Sequence, residues 1–141
     1  VNISDILRFK GGDVWTIAPT DSVTALLSAL AEHNVGALVV ADGSGVLGIV
    51  SERDVVRRIA ERGAALLDSP VEQIMTSIVV SCTSKDTVDG VGELMTQRRV
   101  RHMPVIDDGS LVGIVSIGDV VSSRIRQLEK DRGQLEQYIS G

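Results

Sequence analysis

GIVSERDVV, from Gly48 to Val56, and GIVSIGDVV, from Gly113 to Val121, lie 65 residues apart and agree at seven of nine positions. The agreement spreads outward without a gap. At the same offset Val14 meets Val79, Asp21 meets Asp86, Val23 meets Val88, Val35 meets Val100, Val40 meets Val105 and Asp42 meets Asp107. Further upstream the register slips by three, so that Ile6 and Leu7 correspond to Ile74 and Met75. The chain is therefore written twice, and an internal repeat of this length decides the fold before any single element does.

Each copy reads as the same order of elements. Val14 to Ile17 is a short β-prone run. After the turn signal Pro19-Thr20-Asp21, Val23, Leu26, Leu27 and Leu30 recur at helical spacing. Ala37 to Ala41 and Val46 to Val50 are apolar runs separated by Asp42-Gly43-Ser44-Gly45, which predicts a hairpin. Helical period returns from Glu52, with Val55, Val56 and Ile59. The second copy repeats the order at Val79 to Cys82, Val88 to Met95, His102 to Ile106, Leu111 to Val115 and from Val120 onward.

A βαββα unit of about 50 residues is too small to bury both faces of its sheet. The expected fold is therefore α+β, two such repeats packed about a pseudo-twofold axis. Residues 1–62 form the first repeat, 63–70 the connection with its Ser69-Pro70 breaker, 71–123 the second repeat and 124–141 a C-terminal helix extension. On that extension Val121, Ile125, Leu128, Leu135 and Ile139 stand at heptad-like spacing, interrupted by Arg132 and Gly133. Such a stripe either packs on its own domain or forms a seam with a partner helix.

Composition narrows the function. The chain has 141 residues, 43% of them hydrophobic, enough for a core without covalent staples. A single cysteine, Cys82, excludes an intramolecular disulfide and a thiolate-rich zinc site, which suits a reducing compartment. No apolar run approaches the ~20 residues of a membrane helix, and the N-terminus lacks a signal-peptide core. A cytoplasmic protein that does not engage membranes is expected. A net charge of −5 and only three aromatics, Phe9, Trp15 and Tyr138, argue against nucleic acid as a partner. Two histidines, His33 and His102, are a thin supply for acid-base or metal chemistry, and His33 is explained by a helix C-terminus.

Gly43-Ser44-Gly45-Val46-Leu47-Gly48 spells a dinucleotide fingerprint, but Ile49-Val50 continues a β-run where a helix N-terminus is required. More informative are Ser51-x-x-Asp54 and Ser116-x-x-Asp119, each at a strand-to-helix junction. Each reads as a capping box, with serine capping the helix and the carboxylate reaching back. Each also reads as a ligand site: a short Asp pointing outward suits a ribose diol, and the serine with helix N–H groups suits a phosphate. The copies differ in their cations. Arg53 has Gly118 as its counterpart, while Arg98, Arg99, Arg101 and His102 replace His33, Asn34, Gly36 and Ala37. Arg98 and Arg99 finish a helix; Arg101 and His102 open a strand beside Met103-Pro104-Val105, where capping explains less.

The doubled GIVSxxD, the run RHMPV and the lead-in IMTSIVV resemble a tandem pair of CBS domains, named after cystathionine β-synthase, over about Ile3 to Arg126. The chain is similar to the stand-alone bacterial type. The resemblance implies two repeats, often dimerised into a disc, whose clefts bind AMP, ADP, ATP, NAD or S-adenosylmethionine, for sensing and regulation without catalysis and with no cofactor required. By position it makes Asp54 and Asp119 the ribose-binding aspartates and Ser51 and Ser116 the neighbouring hydroxyls. One cleft would join Ser51, Arg53 and Asp54 to Thr76, Val79, Arg101, His102 and Met103. The other would join Ser116 and Asp119 to Lys10, Thr16, Val35 and Ala37. Ser81 standing opposite Thr16, and a Phe9-Lys10 lead-in unlike Met75-Thr76, set the second cleft apart.

The function expected is thus a regulatory sensor of adenosine-containing ligands, a homodimer without enzymatic activity. Its alternative is a structural or interaction protein that dimerises through its helices and takes no nucleotide.

Overall fold

The computed structural model describes residues 1–11, 14–77 and 80–140, the last by its backbone only. Its helices are α1 (Ile3–Lys10), α2 (Val23–His33), α3 (Glu52–Arg62), α4 (Val88–Arg98) and α5 (Ile117–Ser140). The strands are β1 (Thr16–Ile17), β2 (Ala37–Asp42), β3 (Gly45–Ser51), β4 (Thr76–Ser77), β5 (His102–Asp107) and β6 (Ser110–Ser116), and 3₁₀ turns cover Gly63–Asp68 and Val71–Gln73. The chain is a mixed α+β protein in which both expected hairpins form.

The two compact units do not follow chain order. One is Asp13–Ser81; the other joins Val1–Gly12 to Cys82–Gly141. In the first, β1 runs parallel to β2 while β2–β3 and β3–β4 pair antiparallel, giving the order β1-β2-β3-β4. Ser22 caps α2 by accepting the Ala25 N–H at 3.1 Å, and the helix ends on Asn34 in the left-handed region, φ 53°. Between those stops Val23, Leu26 and Leu30 face one side and pack with Leu38, Val40, Val50, Val55, Leu66, Val71 and Ile74. Each fully buried aliphatic side chain contributes about 1.5–3 kcal/mol, so this stripe holds the helix on the sheet.

In the second unit β5 and β6 form the hairpin, with Met103 opposite Val115 and Val105 opposite Gly113. A parallel bridge from Cys82 to Val105 occupies the place that β1 has in the other unit. Thr87 caps α4 through the Gly90 N–H at 3.1 Å. The N-terminal residues are tied in by their backbone: the Ile3 N–H donates to the Asp86 carbonyl at 2.9 Å and the Val88 N–H to the Val1 carbonyl at 3.0 Å. Ile3, Ile6, Val88, Val91, Met95, Met103, Val105 and Val115 are buried.

The slipped register of the lead-ins acquires a physical meaning here. A Cβ on Gly48 would lie 2.6 Å from the Thr76 carbonyl oxygen and 2.9 Å from Met75 Sδ, and one on Gly113 would lie 2.6 Å from Leu7 Cδ2. Met75 and Leu7 are counterparts in sequence. Each hairpin therefore leaves a glycine-sized gap for the segment that precedes the other copy in the chain.

The fingerprint-like glycines behave as a hairpin. Gly43 and Ser44 form the turn and Gly48 stands inside β3. The helix α5 runs unbroken through Arg132 and Gly133, which interrupt its apolar stripe but not its backbone. The chain's own elements also leave the stripe uncovered, with Val121 50%, Ile125 51%, Leu128 58%, Leu135 59% and Ile139 75% exposed. Packing on its own unit is thus overturned for these residues. Among the described residues no helix is long and apolar enough to cross a membrane.

Candidate functional site

Both Ser-x-x-Asp motifs sit where a hairpin strand turns into a helix. In each copy the first helical N–H donates to a carbonyl at the start of the partner strand: Glu52 to Gly36 at 3.0 Å, Ile117 to Arg101 at 2.8 Å. This fixes the junction and leaves the serine and aspartate on the opening turn, where backbone N–H groups and the helix dipole favour negative charge.

Of the two orientations open to the aspartates, outward to a ligand or back to the cap, the structure takes the second. The Ser51 N–H donates to Asp54 Oδ2 at 2.8 Å and the Ser51 hydroxyl to the same oxygen at 3.1 Å, while the Asp54 N–H approaches Ser51 Oγ at 3.4 Å. In the second copy the Ser116 N–H donates to Asp119 Oδ2 at 2.8 Å and the Asp119 N–H to Ser116 Oγ at 3.1 Å. The capping box is realised twice, because an Asp at the third helical position spans the short distance to the cap N–H as soon as the serine adopts extended backbone. In both aspartates these bonds fall on Oδ2. Among the described residues Oδ1 accepts no hydrogen bond in either.

The second motif carries a cation. Lys10 Nζ, at the end of α1, donates to Asp119 Oδ2 at 2.8 Å and to the Ile114 carbonyl at 3.0 Å. Its side chain keeps 35% of its exposure and that of Asp119 21%. Of the residues assigned to the second cleft, the structure thus brings Lys10, Ser116 and Asp119 together. Thr16, Val35 and Ala37 belong to the other unit, where Thr16 pairs with Val39 and Ala37, only 5% exposed, pairs with Ser51.

Of the residues assigned to the first cleft, Ser51, Arg53, Asp54 and Thr76 share a unit; Thr76 pairs with Ile49 on the edge strand, and Arg53 is exposed. Arg101, His102 and Met103 lie in the unit of the second motif. His102 faces Ser116 across the β5–β6 ladder, Arg101 is exposed, and Met103 is fully buried. Val79 lies outside the described residues.

Other titratable groups read as structural. Cys82 is 3% exposed, and burial, reinforced by Asp86 and Asp107, pushes its thiol up to about 12. His33 ends α2 and stacks on Trp15 with centroids 3.7 Å apart. The sequence reading missed this stack; the clue is that position 15 puts an aromatic beside β1. Among the described residues no group of three or more His, Cys, Asp or Glu side chains could hold a metal.

The family model "CBS domain" matches residues 3–61 and 71–126, one copy each. The chain belongs to the CBS family. A CBS-domain containing protein ATU1752 from Agrobacterium tumefaciens is 46% identical, with a TM-score of 0.82 over 88% of this chain and 99% of its own. The CBS domain-containing protein CBSX3, mitochondrial, of Arabidopsis thaliana is 36% identical over 99% of this chain and 72% of its own length. The CBS domain pair of protein MJ0100, solved in complex with 5′-methylthioadenosine and S-adenosyl-L-methionine, is 28% identical, with a TM-score of 0.75 over 89% of this chain and 98% of its own. CBS pairs are regulatory modules, and no catalytic family is indicated for this one.

Proposed function

We propose that this CBS pair is a ligand-responsive regulator that binds an adenosine-containing molecule, with AMP, ADP, ATP and NAD as the candidates, at its Ser-x-x-Asp helix starts. The observation that carries the reading is the carboxylate at the first turn of α3. Asp54 spends one oxygen on the cap and, among the described residues, has the other uncommitted, in a setting of helix N–H groups that favours anions. A ribose diol donates two hydrogen bonds and needs such an acceptor. The complex of MJ0100 with two adenosine-containing ligands supports the ligand class. Arg53, Arg101 and His102 are the proposed partners for phosphate, and Thr76 and Thr16 contribute hydroxyls. Met103 and Ala37 are buried, which leaves their backbone as the part that would meet a ligand.

As a regulator, the pair responds only by the difference in ligand affinity between its alternative conformations. Asp54→Ala should weaken AMP binding about 10- to 100-fold, the loss of a charge-assisted hydrogen-bond pair, in isothermal titration. Unchanged affinity with lowered stability would make Asp54 a cap and nothing more. A cytoplasmic location belongs to the same reading and rests on the single buried thiol.

An interaction role through helices is favoured by a separate observation. Val121 and Ile125 line a shallow groove with Asp89, Gly92, Val120 and Arg124, and the exposed stripe of α5 continues from it. Left in water this is a costly apolar surface, and a homodimer buries it. Light scattering should give twice the mass of one chain at micromolar concentration; a monomer there removes the dimer.

A further inference from the structure

We infer that Lys10 reserves one oxygen of Asp119, so that the two Ser-x-x-Asp motifs discriminate: a ribose diol is accepted by both oxygens at Asp54 and by Oδ1 alone, more weakly, at Asp119. The inference rests on the ligand reading above and deepens it. A carboxylate oxygen has about two lone-pair sites. On Asp119 both sites of Oδ2 are taken, by the Ser116 N–H and by the Lys10 ammonium, each at 2.8 Å. On Asp54 the second donor to Oδ2 is the Ser51 hydroxyl, at 3.1 Å. A hydroxyl hydrogen rotates about its C–O bond and leaves the oxygen to an incoming diol. Lys10 cannot leave so lightly, because the Ile114 carbonyl holds it at 3.0 Å and departure breaks an ion pair and a hydrogen bond together.

The sequence carries the same asymmetry. Lys10 falls where the register slips, and none of the residues it can be matched to in the second lead-in, Met75, Thr76, Ser77 or Ile78, bears a charge. Among the described residues no cation pairs with Asp54, whereas Asp119 has one. The two copies therefore offer the same backbone and cap but different acceptors, and the residue that separates them lies 109 positions from the aspartate it controls.

Adenosine is the probe, since it has the diol and no phosphate, and 2′-deoxyadenosine is the control without the diol. Isothermal titration of the full chain should find one tight adenosine site per chain, lost in Asp54→Ala. Lys10→Met should gain a second, with affinity at Asp119 raised about 10-fold or more, the scale of one displaced polar contact. Lys10→Arg keeps the ion pair and should titrate like the wild type. In Lys10→Met the new site should prefer adenosine to the deoxy control. Two equal sites in the wild type, one site persisting in Lys10→Met, or a loss of binding in that variant would each overturn the inference while leaving adenosine recognition standing. No binding of adenosine or AMP by either protein would remove the ligand reading and this inference with it.

Discussion

Asp42 and Asp107 hold the same place in the two repeats, at the end of the first hairpin strand, yet they grip different parts of the chain. Asp107 accepts the Ser84 N–H at 2.9 Å and the Ser84 hydroxyl at 2.6 Å, pinning the loop before α4 to the hairpin. The counterpart of Ser84 is Pro19, which has neither donor. Asp42 instead accepts the N–H and hydroxyl of Ser44, at 2.8 and 2.6 Å, inside its own turn. One repeat holds this loop by a long-range bond; the other uses a proline ring that restricts the loop before folding begins. What must stay the same is the path of the backbone, and the two copies reach it by different chemistry.

The glycines facing the lead-ins give the largest expected effect with which to break the comparison. Gly48→Ala sets a Cβ against a backbone carbonyl, whereas Gly113→Ala meets the end of a leucine side chain. Gly48→Ala should cost about 1–3 kcal/mol in chemical denaturation, the range of overpacking, and Gly113→Ala clearly less, since Leu7 can change rotamer. Leu7→Ala combined with Gly113→Ala should remove the clash altogether. Equal losses at the two glycines would show that the lead-ins are held with the same stiffness.

A smaller effect sharpens the loop comparison. The Ser84 hydroxyl first, then its N–H, with a minor contribution from Lys85, holds the Asp107 carboxyl below its ordinary range. A depressed carboxyl adds stability above its unfolded pKa and loses it as pH falls through the folded value. Ser84→Ala should raise the Asp107 titration in NMR, and its deficit in thermal stability should be present at neutral pH and shrink on acidification. Ser44→Gly should move the Asp42 titration upward in the same direction but with less effect on melting, because that bond joins residues only two apart. An equal or larger melting loss in Ser44→Gly would reverse this reading of the two loops.

Much of the fold is legible in the sequence because its signals are local. Helical spacing at Val23, Leu26 and Leu30 and the Asp42-Gly43 turn depend on residues close in the chain, and the 65-residue echo is read by laying one copy on the other. The two Ser-x-x-Asp junctions are legible for the same reason, down to their dual nature as cap and candidate site. The direction in which the aspartates turn is less so: whether Asp54 reaches back or out depends on the backbone angle of Ser51, extended at φ −126° and ψ 165°.

The remainder belongs to tertiary structure. That Val1–Gly12 joins Cys82–Gly141, that Leu7 fills the gap at Gly113 while Met75 fills the gap at Gly48, and that Lys10 closes on Asp119 are pairings between segments far apart in the chain. Repeat arithmetic aligns the copies but does not say which lead-in lies against which hairpin. That choice is made by burial of Ile3 and Ile6 with one core and Ile74 with the other, a term that exists only once the chain has folded.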